Sequence, residues 1–137
     1  MDRTSLNPKS EIRNSKQISN LQITNSKQYD LEERTYLFAK KVNEYVSRLP
    51  KTISNIENGK QLVKSSGSVG ANYEANESLS KKDFCMRIKI CKKEAKESRY
   101  WLRLTVPKEE DEEEKELLIN EAAELMKIFG AVLEKSK

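Results

Sequence analysis

From Phe84 to Thr105 the chain sets Phe84, Ile88, Cys91, Ala95, Ser98, Leu102 and Thr105 at alternating steps of four and three. That spacing holds one narrow stripe of apolar and small residues on one side of a helix about six turns long. A stripe this narrow is the seam of a helix packed among other helices. Its ends are marked. Ser80 can cap the first turn, Asp83 suits the positive end of the helix, and Pro107 stops it.

Three further segments repeat the design. Asp30 and Glu33 stand at capping-box spacing before a stripe of Leu31, Leu37 or Phe38, Val42, Tyr45, Val46 and Leu49, with Arg48 near its end and Pro50 after it. Between Thr52 and Ser78 the apolar side reads Ile53, Ile56, Leu62, Val69 and Tyr73. Its middle, "KSSGSVGANYEAN", admits a flexible loop or a helix with a small-residue seam through Ser66, in which Gly67 and Gly70 serve close approach to a neighbouring backbone. The last segment opens with "KEEDEEEKE" and continues with Leu117 or Leu118, Ala122, Leu125, Ile128 or Phe129, Val132 and Leu133. With 36% hydrophobic and 35% charged residues, the chain suits helices that bury stripes rather than whole faces. The expected fold is all-α: an antiparallel up-down-up-down four-helix bundle over residues 29–137.

Residues 1–28 differ. They are rich in Ser, Asn, Lys and Gln, and the units Ile12–Gln17 and Ile23–Gln28 nearly repeat. Two polar copies build no solenoid. A disordered tail is expected, with an arm that orders on a partner as the alternative. The chain shows no membrane-length apolar run and no apolar signal core, so the cytoplasm is the expected location.

The formal charge of +4 hides two opposed segments. Residues 80–105 carry nine basic and three acidic residues, net +6, whereas residues 107–124 carry two basic and nine acidic, net −7. On the third helix, at about 100° per residue, Lys89, Lys92, Lys96, Arg99 and Arg103 gather on one side of the seam, with Lys93 at their edge. Met86, Ile90, Trp101 and Leu104 form a second apolar stripe on the other side. The basic stripe is the candidate nucleic-acid-binding site, and the second apolar stripe the candidate oligomer interface. The plainer readings are a solvated face and a contact within the same bundle.

No catalytic constellation emerges. The chain has no His, which removes Ser–His and Cys–His pairs. Glu74, Glu77, Glu94 and Glu97 only loosely resemble the carboxylates of a di-iron bundle, which also needs His. Cys85 and Cys91 sit about 120° apart on one helix and read as reduced packing residues. No Gly-rich phosphate loop is present. The reading is non-enzymatic, without metal, cofactor or small-molecule substrate.

The stretch "SSGSVGANYEANESLSKKDFCMRIKICKKEAKESRYWLRL", Ser65–Leu104, closely resembles the bacterial-type four-helix bundle proteins of the 23S rRNA intervening-sequence family. A weaker likeness extends from about Tyr29 to Leu133. Cys85 and Met86 depart from the bulkier aliphatic or His residues of other members. The resemblance implies an antiparallel bundle, assembly as a homopentamer, and genes first noticed within insertions in large-subunit rRNA genes. A similar protein works with the reverse transcriptase of diversity-generating retroelements. The resemblance carries over no catalytic residues. The matching positions Ser68, Asn72, Glu74, Asn76, Asp83, Phe84, Glu94, Glu97, Tyr100, Trp101 and Leu102 read as structural. The basic stripe then has two possible partners. It contacts phosphates, RNA foremost, or it pairs with the acidic start of a neighbour's fourth helix.

Overall fold

The expected seams are the buried sides of helices in a computed structural model, which describes residues 31–75 and 80–136. The chain divides into the units Met1–Glu33 and Arg34–Lys137, and the second holds nearly all of the helical bundle. The polar repeats and the cap expected at Asp30 lie outside the described residues. Helix α1 spans 31–47, α2 Ile53–Glu74, α3 Lys81–Leu104 and α4 Glu112–Lys135; a 3-10 turn, Glu109–Asp111, leads into α4.

The helices alternate in direction. A Cβ at Gly70, near the end of α2, would lie 2.9 Å from Thr35 Oγ1 at the start of α1, and one at Gly59 would lie 3.2 Å from Val46 near the end of α1. Ser98 Oγ on α3 donates to Ser65 Oγ on α2 at 3.0 Å, and Arg87 donates to Asn72 Oδ1 at 2.8 Å. The fourth helix lies beside α3, and Arg34 closes the ring with a two-pronged bond to Glu121 at 2.7 and 2.9 Å. Across the middle, the Tyr73 and Phe129 rings meet at 6.0 Å. This is the up-down-up-down four-helix bundle.

The α3 seam is buried as the spacing requires, from Ile88 through Cys91, Ala95, Ser98 and Leu102 to Thr105. Its N-terminus is capped by Ser80, whose hydroxyl accepts from the Asp83 N–H at 3.1 Å. Phe38, Leu118 and Phe129 face inward, while Leu37 and Leu117 are exposed.

The second helix brings two corrections. It runs unbroken through "KSSGSVG", so the loop alternative fails. Its buried side is Asn55, Gly59, Leu62, Ser66, Val69 and Tyr73, again at steps of four and three. The expected Ile53 and Ile56 are off this seam and exposed. The close approach expected at both glycines holds for Gly70 alone. A Cβ at Gly67 would meet nothing within 4 Å.

Polar groups lock the end of the bundle where α1 meets α2 and α3 meets α4. Asn55, 2% exposed, donates through Nδ2 to the carbonyls of Pro50 (3.0 Å) and Val106 (2.9 Å), and its Oδ1 accepts from Val106 N–H at 2.9 Å. Thr105 Oγ1 lies 2.7 Å from Leu102 O and shares a 2.7 Å hydrogen bond with the Tyr45 hydroxyl. Each is a buried polar group with a partner.

Candidate nucleic-acid interface

The seam turns the side chains at about 60–140° from Phe84 toward the edge shared by α3 and α4. Lys92 shows this most directly, since its Nζ lies 3.5 Å from where a Cβ on Gly130 of α4 would sit. A methyl at Gly130 would meet the ammonium group at ordinary contact distance. Farther along, Arg103 lines a small cleft with Lys115, Glu116 and Ile119. Lys115 is held there by donating to Thr105 O at 2.8 Å. Spacing along the chain does not reveal its place in the cleft, because it stands inside an acidic run.

Lys89, Lys92, Lys96 and Arg103 are exposed and Arg99 is half-buried. Among the described residues, none of these five has a carboxylate within ion-pair distance. Lys93 behaves differently. Its ammonium lies 3.6 Å from Glu94 and 3.9 Å from Glu97, which draws it to the acidic flank of α3. The stripe is therefore five cations, with the sixth already partnered.

The acidic start of α4 is partly used within the chain. Arg48 pairs with Asp111 at 3.4 Å and with Glu114. Burial works against the Arg48 charge. The bond to Glu114, helped by Asp111, outweighs it and holds the guanidinium above its ordinary pKa. Glu109, Glu110, Glu112, Glu113 and Glu116 remain exposed.

The second apolar stripe splits. Met86 and Leu104 are exposed at 54% and 43%, whereas Ile90 and Trp101 are half-buried on the side nearer α2. Trp101 meets Tyr100 edge-to-face at 5.0 Å. Of the four carboxylates weighed for a metal, Glu74 and Glu97 are exposed, Glu94 pairs with Lys93, and Glu77 lies outside the described residues. Among the described residues no group of three metal-binding side chains comes together. Cys91 is buried in the seam and its thiol is pushed up to about 12 by burial, so it stays protonated at neutral pH. Of the family-motif positions, Asn72 has a clear structural task. It donates to Ser68 O at 2.8 Å while accepting from Arg87. No helix among the described residues is long and apolar enough to cross a membrane.

The sequence profile of the 23S rRNA-intervening sequence protein family matches residues 27–131. No curated protein matches the chain. Among solved structures, a protein of unknown function from the S23 ribosomal protein family of Bacteroides thetaiotaomicron VPI-5482 superposes with a TM-score of 0.66 at 24% identity, covering 79% of this chain and 98% of that one. At that identity the likeness speaks for the fold.

Proposed function

Since the chain belongs to the 23S rRNA-intervening sequence protein family, we propose that it is a non-enzymatic, oligomeric protein that binds nucleic acid, RNA foremost, through the α3 stripe. One observation carries the reading. Lys89, Lys92, Lys96, Arg99 and Arg103 share one edge of a rigid helix without any carboxylate partner among the described residues. Unneutralised cations in a row attract a polyanion, and binding releases its counterions. Exposed Met86 and Leu104 support self-association, which would repeat the stripe.

The test is binding to rRNA fragments between about 50 and 200 mM salt. Five phosphate contacts per subunit predict an affinity loss of about a hundredfold or more across that range. Lys92→Glu with Lys96→Glu is expected to abolish binding while the helical circular dichroism persists. Equal binding by the double variant would rule the stripe out. A variant that keeps its RNA affinity but loses solution mass by light scattering would instead assign the stripe to a neighbour's acidic helix. The exposed glutamates of the α4 start keep that second reading in play.

A further inference from the structure

Tyr100 stands between the basic stripe and the apolar edge of Met86 and Leu104. It is 54% exposed. A buried tyrosine hydroxyl usually finds a protein partner, whereas an exposed one is left to water or to a ligand. Among the described residues the Tyr100 hydroxyl has no hydrogen-bond partner and the ring's one aromatic contact is Trp101. The two planes meet at 79°, an edge-to-face arrangement. That geometry leaves at least one face of the Tyr100 ring uncovered by Trp101. Trp101 is itself half-buried, so Tyr100 rests on an anchored side chain rather than swinging freely.

The ring also has cations beside it. Lys96 is one turn before Tyr100 and Arg103 one turn after it, on the same flank of the helix. Neither has a carboxylate partner among the described residues. From Lys89 to Arg103 the stripe extends about 21 Å. That is the length of about six stacked nucleotides of one strand.

Resting on the nucleic-acid reading above, we propose that Tyr100 is a stacking platform for an unpaired base, so that the stripe selects single-stranded over duplex nucleic acid. Phosphates of the strand lie along Lys89, Lys92, Lys96, Arg99 and Arg103. A base turned away from them lies on the open face of Tyr100. A duplex offers the same phosphates but keeps its bases stacked inside, out of reach of a ring on a convex helix. Stacking accepts any base, so the preference is for strandedness and not for sequence.

The experiment compares the full chain and its variants by fluorescence anisotropy, at one salt concentration, on an oligouridylate of about twelve nucleotides and on an RNA duplex of equal length. Tyr100→Ala is expected to weaken single-strand binding roughly 5- to 100-fold and to leave duplex binding unchanged within about twofold. Tyr100→Trp restores the single-strand affinity. Tyr100→Leu keeps apolar bulk without a π face, so it behaves as the alanine variant does. Retained single-strand affinity in Tyr100→Ala or Tyr100→Leu, or equal losses on both ligands, would overturn the platform. If these results appear while Lys92→Glu with Lys96→Glu still abolishes binding, only the platform fails. If the wild-type chain binds neither ligand, the stripe reading fails and the platform falls with it.

Discussion

Asn55 ties three stretches of chain together, and nothing in its sequence surroundings marks it for that task. It is flanked by Ile53 and Ile56, which look like the natural inward residues of that turn. Yet Ile53 is 84% exposed and Asn55 is buried. The side-chain amide presents a donor and an acceptor to Val106 as a neighbouring backbone would, and also donates to the Pro50 carbonyl. Asn55→Ala strands these groups at a partly buried site. It is expected to cost about 1–3 kcal/mol in urea denaturation. A loss below about 0.5 kcal/mol would show that water replaces the amide. An isoleucine at that position fills space but satisfies none of those bonds, which is why hydrophobicity alone pointed to the wrong residues. The α3 seam was legible because its inward residues are also its apolar ones.

At the scale of the element, the period of four and three predicted helices α1, α3 and α4 well, and it also governs α2. There the seam is continued by Gly59 and Asn55, residues that no apolar count selects. The glycines show what periodicity leaves open. Gly67 and Gly70 stand three apart in one run of small residues, but only Gly70 faces α1. Its hydrogen gives room to Thr35, whose Oγ1 and Cβ would lie 2.9 and 3.2 Å from an added methyl. Gly67 faces open space. The two alanine substitutions should therefore act in opposite directions. Gly67→Ala gains helix propensity and is expected to stabilise by about 0.5–1 kcal/mol. Gly70→Ala gains the same propensity but must displace a β-branched side chain, and is expected to destabilise. Urea midpoints of both variants decide the matter. A stabilised Gly70→Ala would mean that α1 and α2 separate easily at this crossing. The cationic stripe on α3 was likewise legible as a face. The partnering of Lys93, the approach of Lys92 to Gly130 and the contribution of Lys115 depend on where α4 lies, which spacing along α3 cannot encode.

For the whole molecule, the core holds two groups that it keeps neutral. Tyr45 is 1% exposed and its hydroxyl is pushed up from 10.0 to about 12. Burial is the main cause. The bond with Thr105 works the other way, and the carboxylates of Glu112, Glu114 and Asp111 add to the rise. Cys91 is fully buried and is raised from 9.0 to about 12, again chiefly by burial. Both lose a proton more readily in the unfolded chain. Above pH of about 9 the unfolded chain therefore binds fewer protons than the folded one, and stability falls as pH rises. The fall opens with Cys91, is joined by Tyr45 above about 10, and continues until both folded values near 12 are passed. Below about 9 neither group makes stability depend on pH. Tyr45→Phe removes one of the two contributions. It lowers stability by about 1 kcal/mol at neutral pH, through the lost bond to Thr105. Between pH of about 10 and 12 it should decline less steeply than the wild type. The two proteins differ at this residue alone, so the difference between the two curves isolates Tyr45. Parallel curves across that interval would mean that the folded bundle lets Tyr45 ionise as freely as the unfolded chain does, and that the Tyr45–Thr105 end of the core is open to water.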